Sequence, residues 1–191
     1  MDLKSLRQTG WWPTEHADRS PGGDPAGSHA RVLDAMAQAA FTNVRTYSNC
    51  CRSTLMAVQQ HLGLNDPAAV RASTTLAGGI GGTGETCGAL LGALMAIGTA
   101  LGPEEACADA QPSDRLARET ATKMVHWFGQ AFSGSRCYDV QRQMVGFACD
   151  DPSKADAWRE ANGPMGCALA CAEAAREAGR LILEARDQGE T

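Results

Sequence analysis

A chain of 191 residues with eight cysteines and a formal charge of -5 is long enough to bury a core of its own, so its cysteines are not needed to staple an undersized fold. Its Lys and Arg form no basic stripe, which argues against a nucleic-acid partner. No apolar run reaches membrane-spanning length; the longest, from Ala89 to Leu101, is interrupted by Gly92, Gly98 and Thr99 and reads as a buried helix.

Alanine occurs 33 times, while β-branched and aromatic runs are scarce. The intrinsic preference is therefore helical, and an all-α fold is expected: a compact helical bundle with an extended N-terminal arm. Residues 1–28 make up the arm, because Trp11-Trp12-Pro13 and the stretch from Pro21 to Gly27 cannot sustain a helix; the two tryptophans anchor it. Residues 29–191 form a single helical domain. From Ser28, Val32, Leu33, Met36, Ala39 and Ala40 fall on one helical face, up to a break between Thr42 and Asn49. A second helix is predicted from Cys50 to His61, with Leu55, Val58 and Leu62 inward. Asn65-Asp66-Pro67 caps and opens a third, which is expected to end at Gly78-Gly79.

Residues Thr83 to Thr86 begin the next predicted helix. On it Gly88 and Gly92, four apart, with Ala89, Ala93 and Ala96, present a thin surface that another backbone can approach closely. After Gly102-Pro103, a helix is expected over Ser113 to Phe128, then a turn from Phe132 to Cys137 entering a short segment. Asp150-Asp151-Pro152-Ser153 caps another helix ending at Asn162-Gly163, and Pro164 opens a last long one to Arg186. Asp150 and Asp151 read as a cap rather than as a catalytic carboxylate pair.

The sulfurs carry the chemistry. The N-terminus, Met1 to Gln8, lacks the apolar stretch of a secretory signal, which places the protein in the cytoplasm; there, reducing conditions favour metal sites or redox chemistry over structural disulfides. Cys87 follows the glycine-rich stretch Gly78 to Gly82 and precedes Gly-Ala-Leu-Leu-Gly. Unpaired N–H groups and the positive end of a helix dipole at such a junction favour the thiolate. Cys50 and Cys51 open one helix, Cys137 follows a serine-glycine turn, and Cys167 and Cys171 share a face of the last helix. The competing reading is packing, since free cysteine behaves as a small apolar side chain; Cys107 and Cys149 fit that description. His61 and His126 read as packed or exposed residues rather than ligands, and His16 and His29 lie near the arm. The glycine-rich stretch follows a helix, not a strand, so it is no nucleotide fingerprint.

The sequence resembles the redox-active family named for a C-G-A-x-x-G motif and four cysteines. The matching stretches are Asn49 to Leu55, Leu62 to Leu64, Ala77 to Gly81 leading to Thr86 through Met95, Phe132 to Cys137, and Cys167 through Ala175. The resemblance implies that Cys50, Cys87, Cys137 and Cys167 hold a redox centre, most simply an iron-sulfur cluster acting in electron transfer. Cys51 stands where the family usually has alanine and is a substitute for Cys50; Cys171 is a substitute for Cys167. A related domain occurs in split-Soret cytochromes, but this chain has no Cys-x-x-Cys-His for covalent heme. Four thiolates suit zinc as well as iron-sulfur clusters, although ligands this far apart in sequence favour a centre inside a preformed bundle over a zinc knuckle. Three functions follow: a metal-binding electron carrier, a thiol-disulfide oxidoreductase with Cys87 as attacking thiolate and Cys50 or Cys137 as resolving thiol, and a structural zinc-binding module or one holding no metal. A redox partner protein of unspecified kind is implied, and the arm and small-residue helix point to a homodimer.

Overall fold

The structure, a computed structural model, describes residues 25–105 and 112–189. Among these are eight α-helices and no strand: α1 (Pro25–Tyr47), α2 (Cys50–His61), α3 (Pro67–Ala72), α4 (Gly88–Leu101), α5 (Pro112–Ala131), α6 (Cys137–Val145), α7 (Ala155–Glu160) and α8 (Gly163–Gly189), with 3-10 turns at Ser73–Leu76 and Pro152–Lys154. Residues 1–24 of the expected arm, with Trp11, Trp12 and His16, lie outside the described residues, as does Cys107. None of the helices among the described residues is long and apolar enough to cross a membrane.

The long helix α8 is the axis of the bundle and packs against α1, α2, α4, α5 and α6. Its inner face is nearly all alanine: Ala168, Ala170, Ala172, Ala174, Ala175 and Ala178 are buried, followed by Leu181 and Ile182. Side chains this small let neighbours pack close to its backbone, and they lose almost no side-chain entropy on burial. Against α1 the approach is closer still, because a Cβ at Gly179 would fall 2.4 Å from Met36 Sδ. On the other side, α5 lays Met124 and Phe128 into the core. Phe128 stacks with Phe132 at a ring separation of 4.6 Å, and Trp127 meets Phe132 edge-on at 6.1 Å.

Several element boundaries differ from expectation for local reasons. Helix α1 begins at Pro25, inside the span assigned to the arm, because proline is suited to a first helical turn. It also runs through Thr42 to Tyr47, since Phe41 and Val44 extend its packed face and the Thr46 hydroxyl donates to the Thr42 carbonyl at 3.0 Å. The true break is Ser48, at φ 51°. The third predicted helix stops six residues in and tightens into a 3-10 turn; there the Ser73 hydroxyl donates to the Val70 carbonyl at 2.7 Å, the local competition that makes serine a poor helix interior. The fourth starts at Gly88 rather than at Thr83 to Thr86, for a reason that belongs to the site. The segment entered at Cys137 is itself a helix, α6. Asp151 does cap the 3-10 turn before α7, accepting from the Ser153 N–H at 2.8 Å, and Asp150 pairs with Lys154 at 2.5 Å.

The small-residue face of α4 is occupied within this chain. A Cβ at Gly92 would lie 2.3 Å from the Cys51 carbonyl oxygen, so the α2 backbone rests directly on α4.

Candidate four-cysteine site

The site is built where the starts of four helices meet. Residues 78–82 all have positive φ, between 61° and 84°, a left-handed turn that glycine enters freely and other residues enter at a cost of about 1–2 kcal/mol each. Ile80 is the exception, at φ 61° and 43 % exposed. The turn closes on itself: the Gly81 N–H donates to the Thr75 carbonyl at 2.7 Å, the Gly82 N–H to Ala77 at 3.1 Å and the Glu85 N–H to Gly79 at 3.1 Å. The Gly81 and Gly82 amides are thus spent on holding the shape of the turn.

Beyond the turn the chain runs extended and pairs with the segment before α6. The Cys87 N–H donates to the Ser135 carbonyl at 2.8 Å and the Cys137 N–H to the Glu85 carbonyl at 2.6 Å. Thr86 and Arg136 form an antiparallel bridge between these bonds, and Arg136 pairs with Glu85 at 2.8 Å on the surface. This pairing keeps residues 83–87 out of α4 and sets Cys87 and Cys137 side by side at two helix starts. Both are 5 % exposed.

Cys50 approaches from α2. Its N-cap, Asn49, accepts from the Arg52 N–H at 2.9 Å and donates to the Thr74 carbonyl at 3.0 Å, tying the helix start to the 3-10 turn. The Cys50 sulfur fills the space above Gly88, where a Cβ would fall 2.2 Å from it. Burial raises its thiol pKa, opposed chiefly by the Gly78 N–H, with the charge of Cys137 adding to the rise and the N–H groups of Cys51 and Cys50 opposing it. Cys167 enters from the first turn of α8 and is pushed far up by burial and by the charges of Cys137 and Cys50. Cys87 feels charge on Cys50, Cys137 and Cys167, and Cys167 feels charge on Cys137 and Cys50.

The neighbouring Cys137 sulfur, with burial and the other sulfurs, pushes Cys87 well above its usual range, while the neighbouring Cys87 thiol and an N–H of Gln141 pull Cys137 down against the opposing effect of burial. Burial and the neighbouring sulfurs oppose the Cys87 thiolate expected from the helix start, and its side chain makes no capping bond at α4.

The substitutes face elsewhere. The fully buried Cys51 thiol donates to Met95 Sδ at 3.8 Å and is pushed up to about 12 by burial. The fully buried Cys171 thiol reaches the Cys50 carbonyl at 3.7 Å, with Cys50 and Cys167 in electrostatic range. Cys149 is half-buried rather than part of the core. His61 turns its ring back to the Ala57 carbonyl at 2.9 Å, and His126 is exposed.

Two contributors escaped the sequence reading. Asn49 was legible as a polar residue before a helix, and Gln141 stands four residues after Cys137, a helical neighbour spacing. Its Nε2 donates to Cys137 Sγ at 3.4 Å while its Oε1 accepts from the Cys149 N–H at 2.7 Å.

The donor set fits a soft, thiolate-bound centre: four thiols, N–H groups aimed at the sulfur of Cys50, and a sulfur seated where glycine leaves room. As they stand, no three Cys, His, Asp or Glu side chains among the described residues are set to hold a metal ion. The fold and site define a helical protein with a buried multi-cysteine centre. The family model described as "Putative redox-active protein (C_GCAxxG_C_C)" matches residues 48–184, and the chain belongs to that family. No curated protein and no solved structure matches it.

Proposed function

We propose that the protein is an electron carrier in which Cys50, Cys87, Cys137 and Cys167 hold an iron-sulfur cluster, a group that supplies reversible one-electron storage when bound. What supports this reading is that the cysteines the family resemblance assigns as ligands stand at four helix starts, with Cys50, Cys137 and Cys167 all within electrostatic range of Cys87. The chain's own contribution is to exclude water, to stabilise charge on sulfur through the Gly78, Cys50 and Cys51 N–H groups, and to fix the Cys87 and Cys137 backbones through the extended pairing. Anaerobic purification with iron, sulfide and zinc analysis tests it. Brown protein whose visible absorption bleaches with dithionite is expected, and loss of iron in Cys87→Ser and Cys137→Ser; colourless, iron-free anaerobic protein refutes it, and stoichiometric zinc would assign a structural site instead.

The free, neighbouring thiols of Cys87 and Cys137 support a second reading, a thiol-disulfide oxidoreductase with the expected roles exchanged. The Cys137 thiolate attacks a disulfide substrate and expels one thiolate, which takes up a proton. Cys87 then gives up its proton and attacks the mixed disulfide, leaving a Cys87–Cys137 disulfide and two reduced substrate thiols. Under this reading, iron-free protein reduces glutathione disulfide and Cys137→Ser abolishes turnover; an unreactive dithiol excludes it.

A further inference from the structure

We propose that Gln141 is a positioning residue for Cys137, holding an N–H on the sulfur and so favouring its more negative state. The inference deepens the proposed function, since it concerns a sulfur assigned there as a ligand. The geometry is specific. The backbone N–H of Cys149 can only donate, so the atom it meets at 2.7 Å must be the Gln141 carbonyl oxygen, and the amide nitrogen is left facing Cys137 Sγ at 3.4 Å. The amide is thereby locked with its donor side inward by the segment that follows α6. Cys137 and Gln141 share one face of α6, so this N–H travels with the sulfur it serves.

A donor to a cluster sulfur stabilises the reduced form, which carries one more negative charge, and so raises the potential. Gln141→Glu separates the two ends of the side chain, because the carboxylate still accepts from the Cys149 N–H but can no longer donate to Cys137. In the iron-loaded protein, Q141E lowers the midpoint potential by a tenfold change in the reduced-to-oxidised ratio, about 59 mV for a one-electron couple, with helix content and thermal midpoint unchanged. Should Q141E not fold, Gln141→Met removes the donor with similar side-chain length and is expected to move the potential in the same direction. A folded, loaded variant with the wild-type potential overturns the proposal.

Wild-type protein that takes up no iron defeats the cluster reading alone, and Gln141 is then judged in the metal-free reduced state by nuclear magnetic resonance. There one Gln141 side-chain amide proton is displaced from the free-amide position and moves in Cys137→Ser. An undisplaced pair that ignores Cys137→Ser overturns the assignment.

Discussion

Replacing Gly88 by alanine asks whether the Cys50 sulfur sits where the structure puts it. The added Cβ would lie 2.2 Å from Cys50 Sγ, with the Cys51 nitrogen and the Leu76 oxygen each at 3.1 Å on its other sides. Ordinary contacts lie near 3.5–4.0 Å, so the sulfur or α2 must move by over about 1 Å, and the flanking atoms are backbone that cannot swing aside. Overpacking of this kind costs about 1–3 kcal/mol. The helix gain of alanine over glycine, about 1 kcal/mol in an interior, is smaller at the first residue of α4. Gly98 on the same helix supplies the control, being exposed with nothing within 4 Å of its Cβ position; there alanine gains about 0.5–1 kcal/mol. With a urea slope of about 2 kcal/mol per molar, G88A lowers the unfolding midpoint by about 0.5–1.5 M, whereas G98A raises it by about 0.3–0.5 M. G88A also speeds alkylation of Cys50 in reduced protein. Equal upward shifts for the two variants would refute the placement of Cys50 over Gly88.

The Cys51 thiol, raised from 9.0 to about 12, makes stability fall with rising pH: above pH 9 the unfolded chain has shed a proton that the folded chain keeps, at up to about 1.4 kcal/mol per pH unit until about pH 12. Urea unfolding of reduced protein between pH 8 and 10.5 shows this slope, and Cys51→Ala lessens it by that share; an unaltered slope would remove Cys51 from the account. Asn49→Ala loses the cap of α2 and its bond to Thr74, costing about 1–2 kcal/mol by chemical denaturation, while Asn49→Asp keeps the cap and recovers part of the loss. Phe128→Ala empties a fully buried aromatic site beside Phe132, and its unfolding free energy drops by about 3–5 kcal/mol; a drop below 1 kcal/mol would contradict the core described.

Composition and periodicity carried the helical class, because alanine-rich segments punctuated by proline and glycine leave few other choices, and the start of α3 follows from Asp66-Pro67 alone. The four family cysteines were equally legible, since a motif is local. The register of α4 was not. Thr83 to Cys87 could have opened a helix, but Thr83 and Gly84 close the glycine turn and Glu85 to Cys87 pair with Ser135 to Cys137, distant in sequence. The protonation order of the sulfurs was likewise a tertiary matter. A helix N-terminus can be read from a sequence, but burial and the neighbouring sulfurs cannot, and at Cys87 both push the thiol up. Gly88 and Gly92 announced a close approach without naming what approaches; that it is Cys50 and the Cys51 backbone of the same chain was decided by how α2 packs across α4.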